Sequence, residues 1–123
     1  MMDMVIHEDG HSNIECNNAL LSYSKFDPRR AIRAGKYSLV FTNPPFGAIV
    51  KDKDILSKFE LGKSRKSQKT EILFIERCLD LLKTGGKLGI VLADSILTNS
   101  SLQYVRDYIL KKAKILGVVS YQK

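Results

Sequence analysis

At 123 residues, 44% hydrophobic and 27% charged, the chain is one soluble globular domain or part of one, able to bury a core. A net charge of +7 suits a polyanionic partner, and two isolated cysteines, Cys16 and Cys78, exclude a disulfide framework or zinc knuckle and read as reduced core thiols. No basic-then-apolar leader opens the chain and no apolar run reaches bilayer length, so a cytoplasmic protein with no membrane span is expected.

In chain order, Met1 to Ile6 reads as the tail of a helix. His7-Glu8-Asp9-Gly10-His11 follows as a solvated polar turn; two histidines without a further cluster do not make a metal site. Asn13 to Leu20 can hold a short strand ending in Asn17-Asn18. Leu21 to Lys36 is a connector with a turn at Asp27-Pro28. Its Arg29, Arg30 and Arg33 form a basic cluster, either a solvated surface or a contact for a phosphate backbone.

Tyr37 to Thr42 is a β-favouring run that predicts a buried strand. It ends at Pro44 and Pro45, neither of which can donate to a sheet ladder. Each proline also pushes the residue before it out of the helical region, so Asn43 and Pro44 form a stiff, extended, acceptor-rich corner. Open α/β sheets place their ligands at this end of a strand. An aromatic ring, Phe46, follows at once. The bland alternative is a strand terminator with a core phenylalanine.

Residues 48–69 hold seven basic side chains against three acidic ones. They predict a mobile basic loop, in which Lys51, Lys53, Lys63, Arg65 and Lys66 are the candidate contacts for a polyanion and Ile55, Leu56, Phe59 and Leu61 the few anchors. Gly62-Lys63-Ser64 is not a phosphate-binding loop, because Ser57 stands where the first glycine belongs and no buried strand leads into it. Thr70 to Lys83 is a helix, with Ile72, Ile75, Leu79 and Leu82 at helical spacing and Phe74, Cys78 and Leu81 widening the apolar face. Gly85-Gly86 ends it and turns into a strand, Lys87 to Ala93. Asp94-Ser95 closes that strand on the same sheet edge as Asn43. Ser100 or Ser101 caps a second helix through about Lys114, buried along Leu102, Val105, Ile109 and Leu110. Ile115 to Tyr121 is a last strand. The alternation after Tyr37 gives an α/β fold with a largely parallel sheet and helices packed on it.

Asn43-Pro44-Pro45-Phe46 resembles the catalytic motif of amino methyltransferases that use S-adenosylmethionine, above all the adenine-N6 DNA methyltransferases. The run Glu71 to Glu76 and the run Leu82 to Asp94 resemble the modification subunit of type I restriction systems, with Ala93 where that family usually has proline. The resemblance implies a partial Rossmann-like methyltransferase fold, residues 1–123 being the C-terminal, catalytic and target-base part of the domain. It implies S-adenosylmethionine as cofactor, DNA as substrate, and separate specificity and restriction subunits as partners. Asn43, Pro44, Pro45 and Phe46 take the catalytic positions. Asn18 falls where the family places an acid that touches the cofactor's adenine.

The chain has no G-x-G, the usual cofactor turn after the first strand. The cofactor half is therefore expected upstream of Met1, and the isolated chain is expected to bind S-adenosylmethionine poorly and not to methylate alone. A partial sheet would expose an apolar edge, where homo-oligomers can form. Two alternatives stay open. One is an amino methyltransferase acting on RNA or protein, whose relatives more often carry tyrosine at the position of Phe46. The other is a non-catalytic remnant that binds DNA or a partner subunit.

Overall fold

Residues 18–25 and 32–119 are described by the computed structural model. Strand β1 (Tyr37–Thr42) leads into the proline corner, and a short strand β2 (Ile49–Val50) follows it. A one-turn helix α1 (Lys53–Leu56) and strand β3 (Gln68–Lys69) come next, then helix α2 (Thr70–Leu81), strand β4 (Leu82–Ile90), helix α3 (Asp94–Thr98) and helix α4 (Gln103–Lys112). β1 pairs parallel with β4, whereas β2 and β3 form a separate antiparallel ribbon. The architecture is α/β, consistent with part of a Rossmann-like methyltransferase fold. Among the described residues no helix is long and apolar enough to cross a membrane.

Two sets of backbone bonds fix α2 against β1. The Thr70 N–H donates to Ala48 O (3.1 Å), just past the corner, while Gly35 N and Lys36 N donate to Asp80 O (2.8 Å) and Leu81 O (3.1 Å). The helix therefore runs antiparallel to β1 and returns the chain to a parallel strand, the crossover that parallel pairing requires. Taking up the last helical carbonyls in this way ends α2 at Leu81, short of the expected Lys83. Leu82 is already extended and pairs with Tyr37.

The second strand also differs from expectation at both ends. It starts at Leu82 rather than Lys87, and the register slips between Tyr37 and Leu39 to take up the extra residues. Gly85, at φ +82°, supplies the left-handed residue in that irregular stretch. It ends at Ile90 rather than Ala93, because Asp94 opens α3.

A central cluster of Leu61, Ile72, Ile75, Ile96, Leu102 and Val105 joins α2, α3 and α4. Leu20, Leu56, Phe59 and Leu73 form a second cluster on the opposite flank of α2. Burying each such side chain contributes roughly 1.5–3 kcal/mol. Cys78 is a buried free thiol, and burial pushes it up to about 11.

Several expectations need correction. No residue of β1 is fully buried: Val40 and Thr42 are half-buried, while Leu39 (53% exposed) and Phe41 (76%) lie on a face that nothing among the described residues covers. The segment 48–69, expected as a loop with a few apolar anchors, holds β2, α1 and β3. It is tied by the β2–β3 ladder and by buried Leu56, Phe59 and Leu61. Neither Ser100 nor Ser101 caps α4. Asn99 caps the 3-10 turn Ser100–Leu102 that leads into it, its Oδ1 accepting from Ser101 N (2.9 Å) and Ser101 Oγ (2.7 Å), and Leu102 at the start of α4 makes no side-chain cap bond. That helix stops at Lys112, and Leu110 is exposed. Residues 115–119 form no strand and lie open to solvent, since an extended run without a neighbouring ladder leaves its backbone to water. The turn 18–20 replaces the end of the expected first strand. The remainder of that strand, the leading helix tail, His7, His11, Cys16, Arg29 and Arg30 lie outside the described residues.

Candidate active site

The corner is built by the strand before it and the helix behind it. Ladder bonding carries β1 to Thr42, opposite Ile90, and Val91 N still donates to Thr42 O (3.2 Å). Both parallel strands therefore finish level, and Asn43 and Asp94 leave from the same carboxyl edge. Pro44 is buried while Asn43, Pro45 and Phe46 are exposed, Phe46 by 52%. A rigid proline pair with one ring seated and one out leaves an amide and an aromatic face turned to solvent at a strand terminus. Gly47, at φ +78°, redirects the chain into β2.

The segment beyond β4 forms the neighbouring rim. Asp94 is exposed in the first turn of α3, and Thr98 Oγ1 donates to its carbonyl (3.0 Å). Ile96 is fully buried and anchors this turn. Arg106, from α4, donates through Nη1 to Ile96 O and to Asn99 O, both at 2.9 Å. The rim is thus fixed from α4 although it is only five helical residues long.

The basic candidates follow the corner in the chain, past the end of the β2–β3 ribbon that lies away from Ala48 and Thr70. The chain leaves the ribbon after Val50 and returns at Gln68, so Lys51 and Lys66 emerge at one end of it. Lys51, Lys53, Lys63, Arg65 and Lys66 are all exposed. Arg65 alone has a ring partner, its guanidinium lying 4.3 Å from the centroid of Tyr104 on α4. Asn18 stands elsewhere, in a turn where its Oδ1 accepts from Leu20 N (3.0 Å).

Three residues with structural weight escaped the sequence reading. Glu76 is buried on α2 and accepts the N–H groups of Glu60 (Oε2, 2.9 Å) and Leu61 (Oε1, 2.9 Å). Burial raises its pKa above the usual carboxylate value, and the two backbone donors partly counter that shift. Arg77 is buried between the rings of Tyr23 (4.3 Å) and Phe59 (5.1 Å) and donates to Leu20 O and Leu21 O. Gln68 is buried and donates to Leu61 O (2.7 Å) and Tyr104 Oη (3.0 Å). The available signal was charge out of place: Glu76 and Arg77 stand beside Ile72, Leu73, Ile75 and Cys78, the buried apolar side chains of the same helix.

A cavity of about 250 Å³ lies between Tyr23, Phe59, Glu76, Arg77 and Asp80. These helix residues belong to the carboxyl half of α2, toward the start of β1 and away from the corner. Among the described residues no group of acids, histidines and cysteines could hold a metal ion.

The family model described as Eco57I restriction-modification methylase matches residues 3–123. The chain is also 30% identical, over 88 residues, to the Type II methyltransferase M.VspI of Vibrio sp. (strain 343). That alignment covers 72% of this chain and 21% of the relative, so the chain spans about a fifth of that protein's length. No solved structure matches.

Proposed function

Because the chain belongs to the Eco57I restriction-modification methylase family, we propose that it supplies the target-base side of a DNA methyltransferase acting on the N6 amine of adenine, with S-adenosylmethionine as methyl donor. The observation that carries this reading is the Asn43–Phe46 corner, with Pro44 buried and Asn43 and Phe46 open, at the level carboxyl ends of two parallel strands.

The chemistry follows from the amine. Its lone pair is delocalised into the adenine ring, which makes it a poor nucleophile. The Asn43 side-chain oxygen and the Pro44 carbonyl accept its two hydrogens, favour a tetrahedral nitrogen and free the lone pair. Fixed acceptors also stabilise the positive charge that grows on that nitrogen, and do so best in the transition state. No strong base is needed at this stage. Phe46 stacks on the extruded base: extrusion costs a few kcal/mol, and one aromatic stack returns roughly 1–3 kcal/mol. The exposed lysines and Arg65 contact the phosphate backbone and contribute the rest.

Asn18 is the residue that the family resemblance sets against the donor's adenine. Its oxygen is engaged by Leu20 N, a poor fit to that task, and no step is assigned to it. The type I assignment rests on the runs Glu71–Glu76 and Leu82–Asp94 and implies a specificity subunit and a restriction subunit as partners. It predicts methylation only when a specificity subunit is added, whereas a methylase that acts unaided is of another type. Self-association through the bare face carrying Leu39 and Phe41 is a further partner relation that this reading implies.

The test is transfer of labelled methyl from S-adenosylmethionine to DNA, RNA and release-factor-like protein by the native protein. Transfer to adenine N6 in DNA that is lost in Asn43→Ala is the expected result, and transfer that survives the substitution overturns it. The basic segment, exposed independently of the corner, favours one second reading: a non-catalytic DNA-binding chain. Salt-sensitive DNA binding without transfer, unchanged by Asn43→Ala, is its signature.

A further inference from the structure

The basic segment between α1 and β3 is held by side chains that lie outside it. Glu76 receives two consecutive backbone N–H groups, those of Glu60 and Leu61, one on each carboxylate oxygen at 2.9 Å. Gln68 grips the carbonyl of the same Leu61 at 2.7 Å and reaches the Tyr104 hydroxyl at 3.0 Å. The Tyr104 ring in turn carries the Arg65 guanidinium at 4.3 Å. Just beyond the gripped peptide the chain coils tightly, with Lys63 N donating to Phe59 O (2.8 Å) and Arg65 N to Gly62 O (3.0 Å). Glu76 and Gln68 are buried, whereas Lys63, Arg65 and Lys66 are exposed.

We propose that Glu76, Gln68 and Tyr104 are positioning residues that hold Lys63, Arg65 and Lys66 as a preformed ridge for the phosphates of a nucleic-acid duplex. The inference rests on the reading of this segment as the DNA contact. A loose basic loop must be ordered when it binds, and each immobilised long side chain subtracts from affinity. Here the backbone cost is met on folding. A guanidinium stacked flat on a ring still presents its edge N–H groups to a phosphate. Opposite charge alone would not need a buried carboxylate beneath the ridge. Glu76 lowers the local positive charge, yet it spends both oxygens on the backbone of this segment.

That opposition supplies the test. Binding of the full chain to a mixed-sequence DNA duplex is measured by fluorescence anisotropy across about 50 to 200 mM salt, where phosphate neutralisation dominates the slope. Glu76→Gln removes an anionic group and so, on charge alone, tightens binding to a polyanion. Preorganisation gives the opposite sign: affinity about tenfold weaker, with the salt slope unchanged. Tyr104→Phe removes the hydroxyl but keeps the ring, alters no charge, and is expected to weaken binding about threefold, and Tyr104→Leu further. Circular dichroism at the binding temperature confirms that each variant is folded; if Glu76→Gln is not, the Tyr104 pair decides.

The combined Lys63→Ala, Arg65→Ala, Lys66→Ala variant separates the two ideas. It should lower the salt slope by about 0.9 for each phosphate that is no longer neutralised. An unchanged slope and affinity there would remove the DNA reading of the segment itself. A reduced slope there, with Glu76→Gln and Tyr104→Leu binding as tightly as the unaltered chain or tighter, overturns the positioning role alone.

Discussion

The backbone N–H of Thr70 donates to the carbonyl of Ala48 at 3.1 Å, so the first turn of α2 is joined to the residue that follows the proline corner. The bond extends the β2–β3 ladder, in which Ile49 opposes Lys69. It makes one unit of the corner, the ribbon and the helix. The direction in which the chain passes from Phe46 to Ala48 therefore depends on the residue between them.

That residue is Gly47, at φ +78°, with nothing within 4 Å of where a Cβ would stand. Its requirement is conformational and not steric. Gly47→Ala should cost about 1–2 kcal/mol of stability through the left-handed backbone, and Gly47→Asn distinctly less, because asparagine tolerates that region. Urea unfolding of the two variants measures this. Equal losses would show that the turn is crowded after all.

Gly62 poses the opposite problem. A Cβ there would stand 2.9 Å from the Leu56 carbonyl oxygen and 3.1 Å from its Cδ2, in a buried position whose φ is not left-handed. Gly62→Ala should destabilise by about 1–3 kcal/mol, as overpacking does. The companion change Leu56→Val relieves only the side-chain part of the clash. Little recovery in that double variant places the clash on the backbone, which is the expected result.

Tyr23 donates to Asp80 Oδ2 at 2.6 Å, and its phenol is pushed up to about 12, first by burial and then by that bond. In the unfolded chain the phenol ionises near 10. The folded state binds the proton more tightly, so this contribution is complete below pH 10 and is lost as the pH climbs toward about 12. Stability measured along that alkaline limb should fall less steeply in Tyr23→Phe. An identical limb in both proteins would show that the hydroxyl is not engaged.

The strand, corner, helix and following strand were legible in the letters because each rests on local rules. A β-favouring run stops where two prolines remove donors, and Ile72, Ile75 and Leu79 recur at helical spacing. What was not legible depends on partners distant in sequence. Ile49–Val50 pairs with Gln68–Lys69 across a long intervening segment; two β-branched residues are too short a run to predict a strand, and Gln68–Lys69 carries no strand signature. Residues 115–119 have strand composition and no strand, because composition cannot supply a neighbour. The exposure of Leu39 and Phe41 likewise reflects which face of β1 is covered, a property of the packing and not of the run. Glu76 is the instructive miss. On a helical wheel a buried acid looks like a flaw, until the two N–H groups it serves are known.

The corner itself yields the sharpest expectation. Asn43 is exposed, so its side chain supports little of the fold, and Asn43→Ala should leave the unfolding midpoint nearly unchanged. Methyl transfer by the native protein should nevertheless fall by roughly 10²–10³-fold, the scale for removing one fixed polar group that meets transition-state charge. Phe46→Ala should act differently. It forfeits a stack worth roughly 1–3 kcal/mol on the extruded base, and so weakens binding of DNA carrying 2-aminopurine at the target position. Phe46→Tyr keeps the ring and should keep the binding. A loss in Phe46→Tyr as large as that in Phe46→Ala would mean that the ring packs edge-on against protein, and that the base is held by something else.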